Sequence, residues 1–480
     1  MSFKDKVPGY NTLVLPYHYL QSLTAEVASG FPGKNLRIIG ITGTNGKTTT
    51  SFMIWKMLNH AGYKTGLMTT VAWGPSDESK NVSLKAACED GEQVRTKPVT
   101  TGLREYKAEK KSFFDSSDNL IKQVEHMTTV DPVTLNHRIR AIANSGAEFL
   151  VLEVTSHALA QFRTLGLNFE IAVMTNVTHE HLDYHKTFDN YLAAKCRLFK
   201  QARFGIINAD DPSAKHFVSA INSSRLAKKS HPKYTSYGIK SGNIRAKNPQ
   251  LTPSEIEYTY NDINNKSSNT SITPKIHLSI PGEFNVYNSL AAICVGQKLG
   301  LSPDQIATGL ASLQSVEGRM NRLDLGQNFD VIVDFAHTPD AFEKVFSSVK
   351  PAKKSGRIIS LFGGAGRRDE STRESRGKIA GKYSDICILT EDDSRDEDPL
   401  KIISMFEKGC KKAGLTSDQI VIVPDRQKAI AHAISLAKPG DLVLILGKGH
   451  EKTILRADGP HPFEDLKVTT AAIKKRLLDH

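Results

Sequence analysis

Lys47 is preceded by Gly43, Thr44, Asn45 and Gly46 and followed by Thr48 and Thr49, a spacing suited to holding a polyphosphate. In a glycine-rich turn between a strand and a helix, successive backbone N–H groups and the helix N-terminus surround phosphate oxygens. A lysine neutralises the outer ones, and the hydroxyl after it ligates a divalent cation. Both flanking elements are legible: the apolar run Leu36-Arg37-Ile38-Ile39-Gly40-Ile41 reads as the strand, and Phe52-Met53-Ile54-Trp55 continues a helix. The full P-loop pattern has a glycine five residues before Gly46, where this chain has Ile41, so a Gly/Thr-rich βα turn is the alternative reading.

Two further groups stand where open α/β sheets place ligands, at the carboxyl ends of strands. Glu153 closes the apolar run Phe149-Leu150-Val151-Leu152 and is suited to a divalent cation. Beyond the strand-like Ile171-Ala172-Val173-Met174 come His179, Glu180, His181, Asp183 and His185, a density that favours a metal or phosphate site over a solvated loop. Lys195 follows in a segment with helical apolar spacing, where a lysine is ordinarily a solvated face.

The elements that must position these groups form two alternating series. From residue 36 to about 316, strands separated by helices or loops predict a mainly parallel sheet covered on both faces. Polar stretches 74–125 and 241–273 interrupt it, the first read as a surface insertion and the second as a loop or edge hairpin. After Gly318, five apolar runs beginning at Phe329, Arg357, Asp385, Gln419 and Asp441 predict a second, Rossmann-like α/β domain over 317–480. The run from Arg357 is followed by Gly363-Gly364-Ala365-Gly366, which lacks the G-x-G-x-x-G spacing of a dinucleotide loop. The fold class is therefore α/β, a P-loop-type central parallel sheet followed by a Rossmann-like domain.

At 480 residues, with 39% hydrophobic and 24% charged side chains, the chain has room for two or three globular domains. No secretory signal or membrane-length apolar run is present, which makes the cytoplasm the expected location. Cys88, Cys196, Cys294, Cys387 and Cys410 are too dispersed for a disulfide framework or zinc site and read as buried small hydrophobes. The net charge of +12 lies in scattered lysines and clusters at 107–111 and 228–233, not in an aromatic-interleaved stripe. Anionic small substrates explain it at least as well as nucleic acid.

Taken with these features, Thr128 and Thr129, the 153–163 and 175–199 segments, Phe284 to Ala292 in sequence, Glu317-Gly318-Arg319-Met320, Asp334-Phe335-Ala336-His337 and Gly447-Lys448-Gly449-His450-Glu451 resemble a Mur ligase, most closely the MurE group. The ordered matches span about nine tenths of the chain. The resemblance implies an ADP-forming ligase of peptidoglycan assembly that adds an amino acid, diaminopimelate or lysine, to a UDP-N-acetylmuramyl dipeptide. It implies ATP and Mg²⁺ as cofactors. Residues 43–49, Asn285, Asn288, Arg319, Asp334 and His337 would hold the nucleotide. Thr48, Glu153, His181 and a carbamylated Lys195 would hold metal, with Lys47, Glu153, His181 and Lys195 catalytic. Thr128, Thr129, Ser156, Gln161 and Arg163 would grip the muramyl-peptide donor. Arg368, Asp392, Asp393, Arg395, Gly447 and Glu451 would receive the amino acid.

Two stretches depart from the family pattern. Residues 1–35 are a short counterpart of the domain that holds uridine diphosphate in the family. The acceptor stretch is Glu391-Asp392-Asp393-Ser394-Arg395, where diaminopimelate-adding relatives carry Asp-Asn-Pro-Arg. Retained Arg395 favours an acceptor with a distal carboxylate, because a guanidinium pairs with carboxylate in fork geometry. The expected partners are small molecules, without nucleic acid or membrane, acting on a monomer. A Mur-like ligase using another carboxylate donor and a nucleic-acid-stimulated P-loop NTPase are the competing functions.

Overall fold

The computed structural model describes residues 14–75, 120–123, 127–229, 232–252, 254–263, 274–349 and 356–479. Eleven strands form the first sheet: β1 Arg37–Thr42, β2 Thr65–Met68, β3 Ala72–Gly74, β4 Ile121–Lys122, β5 Phe149–Glu153, β6 Phe169–Met174, β7 Ala202–Asn208, β8 Tyr234–Gly238, β9 Ile244–Leu251, β10 Ile256–Asp262 and β11 Ile276–Leu278. Their order is β11-β10-β9-β8-β7-β6-β1-β5-β2-β3-β4. Pairing is parallel from β2 through β5, β1, β6, β7 and β8 to β9, and antiparallel at both edges.

The central strands read as uninterrupted apolar runs because both faces are covered. Alternate side chains of β1 enter different cores: Ile39 and Ile41 pack with Phe52 and Trp55 of helix Lys47–His60 and Leu290 of helix Glu283–Lys298. Ile38 packs on the opposite face with Leu135 and Ile139 of helix Pro132–Asn144, and Leu198 of helix Phe188–Lys200 belongs to that same core. Gly40 of β1 must lack a side chain, since a Cβ there would lie 2.6 Å from the Phe169 ring. Buried Trp55 satisfies its indole by donating to the Thr65 carbonyl at 2.8 Å, which pins the helix to β2.

The second sheet contains β12 Asn321–Arg322, β13 Asp330–Asp334, β14 Ile358–Phe362, β15 Ile386–Leu389, β16 Ile420–Ile422 and β17 Leu442–Leu446 in the order β12-β13-β17-β14-β15-β16. Only β12 runs antiparallel. All five apolar runs expected after Gly318 are strands, each followed or flanked by helices whose apolar faces build cores on both sides. The hairpin β18 Thr453–Arg456 and β19 Gly459–Pro462 stands beside the carboxyl end of β15.

Two sequence expectations gain definition. The 241–273 stretch supplies the antiparallel pair β9 and β10, one strand in from the edge strand β11, with residues 253 and 264–273 outside the described residues. The glycines at 363–366 serve chain packing: a Cβ at Gly363 would stand 2.3 Å from the Thr390 carbonyl oxygen, and one at Gly366 2.1 Å from that of Ser394. Four cysteines are buried, and Cys88 lies outside the described residues, as do the 107–111 lysines and most of the 74–125 insertion. Helix Leu15–Ala28 lies against the central sheet's helix Pro132–Asn144, with Tyr19 edge-on to Phe162. Among the described residues no helix is long and apolar enough to cross a membrane.

Candidate active site

The phosphate loop lies at the carboxyl end of β1, as its sequence requires. Thr44 N donates to the Asn176 carbonyl at 2.7 Å, and Asn45 N donates to the Asn176 side chain at 3.0 Å, so the segment after β6 moulds the turn. Gly46 has φ 84°, and a Cβ there would meet Asn288 Oδ1 at 2.3 Å, two independent reasons for glycine. Lys47 folds back onto its own loop, donating to the carbonyls of Thr44 at 2.7 Å and Gly43 at 3.2 Å. These carbonyl contacts hold a cation at the loop's mouth.

Glu153 and Lys195 converge on this loop from different strands and helices. Thr48 Oγ1 donates to Glu153 Oε2 at 3.0 Å, and the same oxygen accepts from the backbone N–H and hydroxyl of Thr70, both at 3.1 Å. Lys195 is 2% exposed, donates to the Gly43 carbonyl at 2.5 Å and lies 4.5 Å from the centre of the Tyr191 ring. Burial, and then the nearby Lys47 charge, push its ammonium well below the ordinary lysine range.

The histidine-rich segment closes the same place from a third side. His181 has φ 57°, a left-handed conformation that turns the chain into the short helix Leu182–His185. Glu180 Oε2 lies 3.6 Å from His181 Nε2, and Oε1 lies 3.6 Å from His337 Nε2 of the C-terminal module. Burial alone would raise the Glu180 carboxyl, yet His181, His337 and Lys47 hold it well below the usual range. Tyr191 shares a 2.8 Å hydrogen bond with Thr44 and faces Glu180 at 3.5 Å. His185 shares a 3.0 Å hydrogen bond with Ser156, and burial brings its imidazole down to about 4. Burial likewise brings His157 down to about 2, helped by His181, His185, Arg368 and Arg163.

Groups from the second module complete the loop's surroundings. Arg319 Nη2 donates to Thr48 Oγ1 at 3.3 Å, while its guanidinium stacks 4.6 Å from the Phe335 ring centre. Asp334 accepts from the backbone N–H groups of Met320 and Ala336 and so fixes the linker that carries Arg319. Asn45 Nδ2 donates to Asp340 Oδ2 at 2.6 Å. Between the modules opens a cleft of about 760 Å³ whose lining includes Thr49, Asn285, Asn288, Arg319, Asp334 and His337. Asn288 donates to Asn285 Oδ1 at 2.9 Å and accepts from Thr50 at 3.2 Å, so both carboxamides are oriented.

The residues assigned to donor and acceptor form two adjoining groups. Arg163 donates to the Thr129 carbonyl and grips Gln161 Oε1 at 2.6 and 3.0 Å; Gln161 in turn donates to Tyr184 at 3.2 Å. Thr128 shares a 2.9 Å hydrogen bond with Thr70, which links this group to Glu153. On the other module, Arg395 adopts φ 52° and donates to the Gly366 carbonyl at 2.5 Å. Lys448, 0% exposed, contacts Asp392 at 3.3 Å, Asp393 at 2.7 Å and Glu451 at 2.6 Å. Burial opposes each of these charges, but Lys448 and Arg426 hold Asp392 down at about 2, and the three acids raise the Lys448 ammonium. Gly447, φ 118°, leaves room for Asp392, whose Oδ2 would be 2.9 Å from any Cβ there. Arg368 is exposed, at the rim between the two groups.

Sequence reasoning gave Glu180, Tyr191, Thr70, Asp340 and Lys448 no individual role. Glu180 and Lys448 stood inside runs that had been singled out, so position within a motif was their available signal. Asp340 likewise ends the run from Val333 that resembles the family, whereas Thr70 reaches the site by chain folding and carried no such signal.

A family model described as the Mur ligase middle domain matches residues 41–296, and one described as the Mur ligase, glutamate ligase domain matches residues 318–449. The UDP-N-acetylmuramoyl-L-alanyl-D-glutamate--2,6-diaminopimelate ligase of Syntrophomonas wolfei is 33% identical over 461 residues, covering 95% of this chain and 82% of that protein. The UDP-N-acetylmuramyl-tripeptide synthetase of Roseiflexus sp. is 34% identical over 454 residues, covering 91% and 78%. A solved structure of a UDP-N-acetylmuramoyl-L-alanyl-D-glutamate--2,6-diaminopimelate ligase superposes with a TM-score of 0.56 at 26% identity, covering 95% of this chain and 82% of that one. With a phosphate loop facing a second α/β module across one cleft, and these matches along both modules, the chain belongs to the Mur ligase family.

Proposed function

We propose that this chain is an ATP-dependent, ADP-forming ligase that adds an amino acid to a UDP-N-acetylmuramyl dipeptide in peptidoglycan synthesis. The observation that carries the proposal is the meeting of Lys47, Thr48, Glu153, Lys195 and Arg319 at one interdomain place. The names of the relatives support the same reading, through the diaminopimelate ligase of Syntrophomonas wolfei in particular. Residues 36–316 would act as the ATP-binding module and 317–480 as the acceptor module, with residues 1–35 adjoining the donor side.

In this reading residues 43–49 cradle the ATP phosphates, while Asn285, Asn288, Arg319, Asp334 and His337 position the nucleoside and close over it. The donor set suits magnesium: a buried carboxylate, a hydroxyl and an imidazole, with an amine whose depressed basicity favours carbamylation. Thr48, Glu153, His181 and carbamylated Lys195 would hold it, and bound Mg²⁺ would offset the charge of the transferring phosphoryl group. Lys47 neutralises the outer phosphate oxygens. Thr128, Thr129, Ser156, Gln161 and Arg163 orient the donor's carboxylate, which becomes an acyl phosphate. Closure by the second module then excludes water from that intermediate.

Arg368 and Arg395 would pair the acceptor's distal carboxylate, with Asp392, Asp393, Gly447 and Glu451 around its amine-bearing end. That chemistry favours diaminopimelate over lysine. The substrates are small molecules, with no nucleic acid or membrane required, and the enzyme acts as a cytoplasmic monomer.

The test is ADP release by the purified chain with UDP-muramyl dipeptide and a panel of amino acids. ADP and a tripeptide product are expected together, most rapidly with diaminopimelate. Amino acids without effect on ADP release, or stimulation by DNA or RNA instead, would overturn the proposal.

A further inference from the structure

We propose that His157 is a catalytic residue of the amide-forming step, its imidazole accepting a hydrogen bond from the acceptor amine and aiming the nitrogen lone pair at the acyl carbon. The proposal rests on the ligase reading above. Neither ring nitrogen of His157 has a hydrogen-bond partner among the described residues, and the residue is only half-buried. Its neighbour His185 shows what a structural histidine looks like in this cluster: buried, with Nε2 satisfied by Ser156 at 3.0 Å. A half-buried polar ring without a protein partner is instead available to a substrate.

Its position is set without hydrogen bonds. The His157 ring packs at centroid distances of 4.4 Å from Tyr184, 4.6 Å from His181 and 5.5 Å from His185. Three rings on different parts of the 181–185 turn therefore fix its plane. Its ring neighbours tie it to the metal and donor groups: His181 is among the residues proposed to hold metal, and the Tyr184 hydroxyl accepts from Gln161 at 3.2 Å. Arg163, which holds Gln161 and Thr129, stands on the donor side, and Arg368 of the second module stands on the acceptor side; both charges act on the imidazole.

The chemistry balances with an imidazole that is unchanged. A neutral amine attacks the acyl phosphate dianion, the C–N bond forms, and the acyl C–O bond breaks with its electron pair going to phosphate. The surplus amine proton leaves with that phosphate as HPO₄²⁻. An acceptor lone pair on His157 takes one amine N–H in a hydrogen bond, which leaves the nitrogen's own lone pair free and directed.

The test separates the two half-reactions in the full-length protein with ATP, Mg²⁺, UDP-muramyl dipeptide and diaminopimelate. Acyl phosphate is read as hydroxamate formed with hydroxylamine, and ligation as tripeptide. His157→Ala is expected to lower the ligation rate about 10- to 100-fold, the scale of one lost, well-aimed hydrogen bond, while hydroxamate formation stays within about threefold of wild type. His157→Gln, which keeps an acceptor at similar reach, recovers part of the loss and serves alone if the alanine variant does not fold. Equal loss of hydroxamate and tripeptide, or no loss of either, overturns the proposal. A wild-type protein that forms neither product overturns the ligase reading itself, so the two failures are distinguishable.

Discussion

Lys448→Met isolates the physics of the buried Asp392–Asp393–Glu451 cluster, the proposed acceptor pocket. The buried ammonium contacts three carboxylates at 2.6, 2.7 and 3.3 Å, and the acids' ligand atoms lie within 4.8 Å of one another. At an effective dielectric constant of about 20, each contact represents roughly 5–6 kcal/mol of gross attraction, most of which offsets desolvation. Removing the ammonium leaves the acids buried together, which costs about 3–5 kcal/mol. For a module of this size that corresponds to a fall in Tm of roughly 6–20 °C. The pH dependence has a definite sign. Asp392, depressed to about 2, contributes stability that is complete above the ordinary aspartate range and lost only as pH falls through 2. Lys448, raised, contributes stability that is complete below the ordinary lysine range and lost as pH rises beyond it. The Asp392–Lys448 pair is therefore intact from about pH 4 to 10, whereas burial raises the Glu451 carboxyl, so Glu451 takes up a proton earlier than Asp392 as pH falls. In the variant the acids rise, so the deficit narrows as pH falls from 7.5 to 5. Thermal unfolding followed by circular dichroism at those two pH values measures it, with added Ca²⁺ expected to stabilise the variant more than wild type. A variant within about 1 kcal/mol of wild type at pH 7.5 would show that the carboxylates do not depend on this cation.

Other perturbations probe the neighbouring groups. Gly46→Ala places a Cβ 2.3 Å from Asn288 Oδ1 at φ 84°, and should raise the KM for ATP at least about tenfold with about 1–3 kcal/mol of destabilisation; unchanged KM and Tm would contradict the loop geometry. Lys195→Ala should lose ligase activity that acetate or propionate partly restores, and a fully active variant would show that no carbamate is used. Arg395→Ala should raise the KM for diaminopimelate about tenfold or more while affecting lysine less, by loss of a charged hydrogen bond. Equal effects on both amino acids would remove the distal-carboxylate argument.

Much of the frame was legible because it obeys local rules. The run from Leu36 to Ile41 announces a strand covered on both faces, and the glycines and Lys47 after it announce a phosphate turn. Lys195 shows the boundary of that legibility. Helical spacing predicts its helix, Phe188–Lys200, and would ordinarily place a lysine in solvent; it is buried because the helix lies across β1 and β6, pointing that residue at Gly43. Glu180 was visible only as part of a histidine-rich run, since its bridging role requires His337 from the other module.

By itself the sequence determined which residues can form strands, turn around a phosphate and ligate a cation, because these depend on side-chain type and on neighbours within a few positions. Only the tertiary structure decided which charges are neighbours. Thr48, Glu153 and Arg319 are separated by 105 and 166 positions along the chain, yet share one hydroxyl's hydrogen bonds. Burial then sets their chemistry: a lysine becomes less basic beside Lys47, another more basic among three acids, and the same residue type acquires opposite properties from what packs around it.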